Sequence, residues 1–186
     1  MIFSRGRGHR YRNHLSRGWT LIELMIAVAI AVVLMLIAVP NFHKLLAKQR
    51  VDAAARDLFA AILLTRAEAI RRGERVDLMP AIDGDWQSGW VIFVDANNNH
   101  RLDTDEKIIH THAPLAKQLM IESHLHDRAS PHIAFGANGW SRTNGSSQVA
   151  QPGHLDMILA GQRRRIILNF TGRPRLCDPV ADAGCA

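Results

Sequence analysis

The pattern of hydrophobic and polar positions changes twice along the chain. From residue 19 to residue 39 there are 21 residues with a single charge, enough for an α-helix to cross a hydrocarbon core roughly 30 Å thick. From residue 41 to residue 72 apolar residues recur at helical spacing, while arginines take the other faces. Gly73 then supplies a stop signal. We therefore predict one long helix, in which Pro40 introduces a kink or marks the exit from lipid.

After residue 73 the pattern consists of short β-like runs separated by clusters of turn-forming residues. A helix followed by such runs predicts an α+β fold, with the amphipathic half of the helix packed on an antiparallel β-sheet head. The predicted strands cover residues 76–79, 89–94, 119–125, 132–135, 155–159 and 165–170. The predicted organisation is a transmembrane helix over 19–39, its amphipathic continuation over 40–73, a β-rich head over 74–177 and a tail over 178–186.

The formal charge of +6 is unevenly distributed. Residues 1–18 contain five arginines and no acid, and the rest of the chain has 18 basic and 17 acidic side chains. A nucleic-acid site would therefore need a local cluster of basic residues. The basic segment should stay in the cytoplasm, which sends the chain after residue 39 outward. A cleaved secretory signal is the alternative, but no small-x-small site follows the apolar run.

Glu23 is the single charged residue within the apolar run. A carboxylate inside a membrane span costs about 2.5 to 3.5 kcal/mol, so it needs a partner, and we expect none within its own segment. Cleavage between Gly18 and Trp19 would create an α-amino group four residues away. In an assembly of parallel helices, Glu23 of one subunit would then neutralise that amine on its neighbour. The alternative is an ordinary membrane anchor whose Glu23 reaches the headgroups.

Residues 17–25 form a string that resembles the class III signal of type IV pilins and type II secretion pseudopilins: Arg-Gly-Trp-Thr-Leu-Ile-Glu-Leu-Met. The resemblance implies that residues 1–18 are a basic leader, which a prepilin peptidase removes by cutting after Gly18. It also implies N-methylation of Trp19, which stands where the family usually has phenylalanine. The expected protein is a single-pass inner-membrane protein with a periplasmic head, which then joins a pilus or pseudopilus.

A second resemblance covers most of residues 17–177. The run over residues 86–95, the polar loop after it and the segment Gly-Arg-Pro-Arg over residues 172–175 resemble the GspH/FimT group of minor pilins. This resemblance implies the type IV pilin-like fold, in which the long N-terminal helix packs on the sheet. It also bears on DNA, because pilins of the FimT type that capture DNA for natural transformation have such an arginine motif at this place.

Residues 157–177 contain five arginines and no acid. The guanidinium fork suits phosphate oxygens, and proline in the Gly-Arg-Pro-Arg segment should hold two of the arginines apart. The alternative is a solvated edge strand that uses charge to resist aggregation. With the FimT resemblance, we predict a DNA-binding segment formed by Arg173 and Arg175, with help from Arg163 and Arg165.

The polar loop over residues 95–106 matches several positions of a calcium loop of the EF-hand type. His100 replaces the glycine of the sharp turn, and the predicted neighbours are strands instead of helices. The alternative is a solvated hairpin connection. The candidate calcium ligands are Asp95, Asn97, Asn99, Asp103 and Glu106.

Cysteine, histidine and tryptophan residues give weaker indications. Cys177 and Cys185 should lie beyond the membrane, where a disulfide bridge persists, with two free thiols as the alternative. Histidines two residues apart suggest a transition-metal site, but exposed polar positions are the favoured interpretation; the pairs are His110 with His112 and His124 with His126. Trp86, Trp90 and Trp140 are more often core or rim aromatics than a platform on which bases stack.

No pairing of nucleophile and base is apparent, so a membrane-anchored hydrolase is disfavoured and we expect neither enzymatic activity nor a required cofactor. The first hypothesis is a FimT-like minor pilin that binds DNA during natural transformation. The second is a GspH-like minor pseudopilin, a structural component of the type II secretion system. The expected partners are other pilins or pseudopilins through the N-terminal helix, the prepilin peptidase, the inner membrane and DNA.

Overall fold

The computed structural model describes residues 20–128 and 132–185, and the chain divides into two compact units, 1–41 and 42–186. Helix α1, Leu21–Arg72, contributes residues to both. In the first unit the apolar side chains over residues 21–36 are exposed. Within the described residues no single helix is long and apolar enough to cross a membrane, whereas Leu21–Leu36 and Asn41–Arg72 together pass on length and composition.

The second unit combines the outer half of α1 with two antiparallel sheets. The first sheet has the strand order β3-β2-β1-β5-β6, and the second sheet has the order β4-β7-β8-β9. The strands are β1 Val76–Ile82, β2 Asp85–Val94, β3 Ile108–His112, β4 Met120–Leu125, β5 Ile133–Phe135, β6 Ser141–Arg142, β7 Gly153–Leu159, β8 Gln162–Leu168 and β9 Pro174–Cys177. A short 3-10 helix, Ala183–Cys185, ends the described chain.

One stripe of the outer half of α1 packs into the head. Its members are spaced three, four or seven residues apart, which places them on one side of the helix, and each is at most 1% exposed: Val51, Ala55, Leu58, Ile62 and Ala69. The helix ends at Arg72, and Gly73 takes a φ of 71° and donates its N–H to the carbonyl oxygen of Ala69 at 2.9 Å. A left-handed glycine after the last turn is a common helix terminator, as predicted.

A single hydrophobic core joins the helix to both sheets. Trp86 and Trp90 of β2 are buried, as are Phe135 of β5, Leu155 of β7 and Ile166 of β8, and all belong to one cluster. Their burial indicates that the two tryptophans contribute to the core of the head, which agrees with the favoured sequence interpretation.

The predicted α+β fold is confirmed, with three strands that the sequence did not predict. Ile108–His112 and Ser141–Arg142 lie at the two edges of the first sheet, and their short sequences, Ile-Ile-His-Thr-His and Ser-Arg, lack the alternation of a half-buried strand. Pro174–Cys177 begins with proline, which weakens a strand prediction, but it is an edge strand where proline is tolerated.

The predicted strand over residues 165–170 is displaced in the structure. Strand β8 spans Gln162–Leu168, so the arginines lie at its centre, and it pairs with β7 on one side and β9 on the other. The alternative interpretation of the arginine segment as an edge strand is therefore wrong for Arg163 and Arg165. It holds for Arg175, which lies in the edge strand β9.

Candidate functional site

The turn between β8 and β9 presents the predicted DNA-binding segment at its tip. The carbonyl oxygen of Asn169 accepts the N–H of Gly172 at 2.9 Å, and its side-chain oxygen accepts the N–H of Arg173 at 2.8 Å. The side-chain oxygen also accepts the hydroxyl of Thr171 at 2.8 Å. These bonds close a tight turn that leaves Phe170 68% exposed and Arg173 exposed beside it.

Gly172 fixes where this turn lies. It is buried with a φ of 76°, a conformation that residues with a Cβ rarely adopt. A Cβ here would lie 2.7 Å from the Phe135 ring and 2.8 Å from the backbone nitrogen of Ser141. The absence of a side chain at Gly172 therefore allows the turn of the second sheet to pack closely against β5 and β6 of the first sheet.

Arg165 is held by an acid on the neighbouring strand. Its guanidinium donates to both oxygens of Asp156, at 2.7 and 2.8 Å, because the two residues pair across β7 and β8. Burial alone would raise the pKa of Asp156, but the bond and charge of Arg165 outweigh it and hold the pKa below its usual value. Arg163 lies 3.6 Å from Asp156, and its side chain is 40% exposed.

The tail after β9 is held by three arginines and a disulfide. Arg164 binds Asp178 at 2.7 Å, and also Asp52 of α1 at 2.7 Å. Arg175 donates to the Asp182 carboxylate, and Arg165 donates to the carbonyl oxygen of Cys185 at 3.0 Å.

The Asp178 carboxylate accepts the backbone N–H of Val180 and lies near Arg164, and these interactions lower its pKa. Cys177 and Cys185 are joined by a disulfide bond, which confirms that prediction.

The four predicted DNA-binding arginines thus divide into three that have an acidic partner and one, Arg173, that has none among the described residues. Arg165 and Arg175 are paired with carboxylates and with the tail, and Arg163 is loosely paired. Within the described residues Arg173 has no side-chain partner. The sequence window over residues 157–177 contains no acid, but Asp156, on the neighbouring strand just before that window, and the tail acids after it supply the missing charge.

The polar loop over residues 95–106 draws the five candidate calcium ligands together. The amides of Asn97 and Asn99 donate to one oxygen of Asp103, at 2.8 and 2.6 Å. The carboxylate of Asp95 accepts the N–H of Asn99 at 3.1 Å and that of His100 at 3.2 Å. His100 adopts a φ of 65°, so it takes the left-handed conformation expected of the glycine it replaces.

Glu106 closes the loop and Arg75 approaches it from outside. Glu106 accepts the N–H of Ala96 and that of Asp103, each at 3.1 Å. Partial burial raises the pKa of Glu106, and the charges of Asp95 and Asp103 add to this effect. The guanidinium of Arg75 lies 3.2 Å from Asp95, so a positive charge already faces one candidate ligand.

The histidines make contacts that the sequence pairs did not predict. His112 stacks on Trp90 with ring centroids 3.9 Å apart. His124 lies against His154 across β4 and β7, with ring centroids 4.8 Å apart. Burial lowers the pKa of His154, and the nearby charge of Arg165 adds to this effect. Sequence reasoning missed His154, because the predicted strand began at residue 155, whereas β7 begins at Gly153 and its alternation places His154 and Asp156 on one face.

Comparison with models of known protein families shows to which family this chain belongs. The family model described as type II transport protein GspH matches residues 54–172, which is more than half of the chain. The chain belongs to the GspH family. A second model, the prokaryotic N-terminal methylation motif, matches residues 13–39.

Known relatives of this GspH-family chain agree in sequence and fold. It is 28% identical over 180 residues to the pilin-like protein PilA1 of Thermus thermophilus, covering 86% of this chain and 97% of that protein. The minor pilin FimU of Pseudomonas aeruginosa superposes with a TM-score of 0.54 at 20% identity, covering 71% of this chain and 91% of FimU.

The minor pseudopilin EpsH of Vibrio cholerae gives a TM-score of 0.50 at 14% identity, covering 71% of this chain and 98% of that one. These likenesses confirm the type IV pilin-like fold.

At the front of the GspH-family chain, the predicted cleavage residues Gly18 and Trp19 lie outside the described residues. The expectation that Glu23 has no partner in its own segment is wrong. The carboxylate of Glu23 accepts the backbone N–H of Thr20 at 2.9 Å and its hydroxyl at 3.0 Å, and the N–H of Glu23 points to that hydroxyl at 3.3 Å. This reciprocal arrangement is a capping box at the start of α1.

Proposed function

We propose that this GspH-family protein is a FimT-like minor pilin, which assembles into a type IV pilus and binds DNA through its arginine segment during natural transformation. The observation that supports this proposal most is Arg173, an exposed guanidinium at the tip of a well-defined turn. The bonds of Asn169 and the close packing of Gly172 hold the backbone there, so the arginine is positioned without being neutralised.

The other arginines contribute less than the sequence suggested. Arg163 is half-exposed and can turn from Asp156 toward a phosphate, since at 3.6 Å it is too far from that carboxylate for a good hydrogen bond. Arg165 and Arg175 already satisfy carboxylates, so their charge is largely cancelled. Binding should therefore be local, modest in affinity and largely independent of sequence, because phosphate contacts do not read bases.

Phe170 adds an aromatic surface beside Arg173. Trp86 and Trp90 are buried and cannot stack on a base, whereas Phe170 is 68% exposed at the same tip as the arginine. Stacking on an aromatic ring stabilises single-stranded DNA by roughly 1 to 3 kcal/mol per base. The replacement Phe170→Ala should therefore weaken single-strand binding more than duplex binding.

Duplex DNA binding by the compact unit 42–186 at several salt concentrations tests the proposal, since this unit lacks the arginines of residues 1–18. The replacement Arg173→Gln should reduce the slope of log affinity against log salt by about one. Two freely available arginines would give a total reduction of about two, but replacing Arg175 as well should add less than one further unit, because Arg175 has to leave Asp182 before it can contact a phosphate. The matched control is Arg56→Gln, an exposed arginine on α1, which should leave the slope unchanged.

The alternative is a GspH-like minor pseudopilin that acts as a structural component of type II secretion. It predicts that unit 42–186 does not bind DNA, or that the Arg173 variant binds as tightly as the unaltered unit. Either result would overturn the DNA proposal and leave the family assignment intact. In both cases we propose a structural role without enzymatic activity.

We also propose that a prepilin peptidase cleaves after Gly18 and methylates Trp19, leaving the helix as a single inner-membrane span with a periplasmic head. The carboxylate of Glu23 accepts a hydrogen bond from Thr20 of its own helix. To pair with the α-amino group of a neighbouring subunit, it would have to give up this hydrogen bond. Glu23→Ala should permit cleavage but impair incorporation into fibres with other pilins. Intact mass of the membrane form decides cleavage, and a mature chain that still contains residues 1–18 refutes it.

Finally, we propose that the loop over residues 95–106 binds calcium, because His100 adopts the backbone conformation that this type of loop requires at that place. Calcium should then raise the melting temperature by ligand linkage. Asp103→Asn should abolish this rise, and so should Asp95→Ala, although Asp95 also pairs with buried Arg75. A melting temperature that is independent of calcium would leave the loop a plain connection.

A further inference from the structure

The outer face of the second sheet brings together two histidines and an aspartate. In the antiparallel register of β4 and β7, His124 stands opposite His154, and Glu122 stands opposite Asp156. Because side chains alternate along a strand, these four residues lie on the same face. One ligating atom from each of His124, His154 and Asp156 lies within 4.8 Å of the other two.

These separations are close to those of a zinc site. Zinc bonds to histidine nitrogen and carboxylate oxygen are about 2.0 to 2.2 Å, which places tetrahedral ligands roughly 3.3 Å apart. Each atom here therefore has to move by little more than about 1 Å to coordinate one ion. Movement is available, because His124 is exposed and His154 is half-buried at the surface of the sheet.

Asp156 is held in place by a second residue. Arg165 donates to both of its oxygens, which leaves further lone pairs on each oxygen for a metal. Partners of this kind orient a ligand and commonly change metal affinity 10- to 100-fold when removed. The guanidinium cancels the charge of Asp156, so a divalent ion needs another anion, and Glu122 lies 3.8 Å from His124 on the open side of the cluster.

We propose that His124, His154 and Asp156, with Glu122 as the fourth ligand, form a binding site for a divalent transition metal, with zinc the best match. Two imidazoles and two carboxylates are ligands that zinc accepts in tetrahedral geometry. The ion would tie the edge strand β4 to β7 on the face opposite the hydrophobic core. This pairing differs from the histidine pairs that the sequence suggested, since it joins two strands.

Metal titration of the full chain in detergent, after treatment with a chelator, tests the site. Zinc should raise the melting temperature, and cobalt should give the visible absorption of a tetrahedral ion. His124→Ala and His154→Ala should each lower the affinity at least tenfold. His110→Ala is the matched control, because His110 is an exposed histidine on β3 of the first sheet, and it should leave binding unchanged.

Other outcomes overturn the site. Binding that survives both the His124 and His154 replacements would place the metal elsewhere, for example on the histidines of residues 1–18. Absence of any zinc-dependent shift, or a cobalt spectrum of an octahedral ion, would also overturn it. Both variants should fold, because His124 is exposed and His154 is only half-buried at the surface of the sheet, and far-ultraviolet circular dichroism of each variant verifies this.

Discussion

In each of the two sheets an aspartate forms two hydrogen bonds with an arginine, yet the pKa values of the two aspartates move in opposite directions. Next to the first sheet Arg75 donates to both oxygens of Asp77, at 2.7 and 2.9 Å, and burial still raises the pKa of Asp77. In the second sheet Arg165 donates to Asp156 with the same geometry, and the pKa of Asp156 falls. Bond geometry therefore does not explain the difference.

Depth explains it. Asp77 lies on a strand that is buried on both faces, where Leu78 on one side and Phe93 of the neighbouring strand on the other are fully covered. Asp156 has almost no exposed surface, but its face of the sheet is open, and Arg165 above it is 15% exposed. In the deep pair desolvation dominates, whereas in the shallow pair the attraction of the partner dominates.

The largest expected effect comes from removing the deep arginine. Arg75→Gln leaves Asp77 and Asp95 buried without a counter-charge, which should cost about 3 to 5 kcal/mol of unfolding free energy. Denaturant unfolding of unit 42–186 measures this loss. A loss smaller than that of the corresponding Arg165 replacement would break the comparison.

A slightly smaller effect is expected where the two sheets meet. Gly172→Ala combines left-handed strain with a contact of 2.7 Å to Phe135 and 2.8 Å to the backbone of Ser141, which together should cost roughly 2 to 5 kcal/mol. The same unfolding measurement tests it. Gly161→Ala is the control, because Gly161 has a similar φ of 79° with nothing within 4 Å, so it isolates the strain from the clash.

The shallow pair should give a smaller and pH-dependent effect. Arg165→Gln should cost about 1 to 3 kcal/mol at neutral pH, since Asp156 loses its partner but can recruit water. A depressed pKa stabilises the fold above the unfolded value of about 3.9, and this contribution disappears as the pH falls through the folded value. The difference from the unaltered unit should therefore shrink below about pH 4.

For Asp77 the sign is reversed, because its pKa is raised in the fold. Protonation of Asp77 as the pH falls toward about 3.9 should favour the folded state. Unfolding of Asp77→Asn and Asp156→Asn across the acid range separates the two cases. Parallel pH profiles for the two variants would show that depth does not distinguish the pairs.

The smallest expected effect on stability is at the tip of the turn. Arg173→Gln should change the unfolding free energy by no more than about 0.5 kcal/mol, because the side chain is exposed and makes no hydrogen bond or ion pair in the described part of the chain. Its effect should appear in DNA binding alone. A large loss of stability would show that Arg173 has a structural role and would weaken the comparison between bound and free arginines.

Local patterns predicted the long helix and most of the central strands but not the edge strands β3, β6 and β9, and they did not predict contacts between distant residues. The stripe of α1 from Val51 to Ala69 and the stop at Gly73 follow from spacing alone. The partners of Arg164 and Arg175 do not, because Asp52, Asp178 and Asp182 reach them only after the sheet and tail have folded.

One other contact was available in the sequence. Thr20 and Glu23 have the spacing of a capping box, and that spacing was sufficient to find the partner of Glu23. The cluster of His124 and His154 was less accessible, because it depends on the register of two strands in which these residues are 30 positions apart in the sequence. Register between distant strands is set by the whole hydrophobic pattern and is not visible in either strand alone.

Within the segment over residues 172–175, Gly172 and Arg173 are subject to different selective constraints. Gly172 is required by packing, whereas Arg173 is required only by the proposed binding of DNA. A descendant that no longer needed DNA would be free to lose Arg173, since within the described residues that exposed side chain makes no hydrogen bond or ion pair. It would still retain Gly172, because the first side-chain carbon of any other residue collides with the neighbouring sheet. Among relatives, a glycine at this position would therefore indicate only that the fold is kept. An arginine beside it would indicate that DNA binding is kept as well.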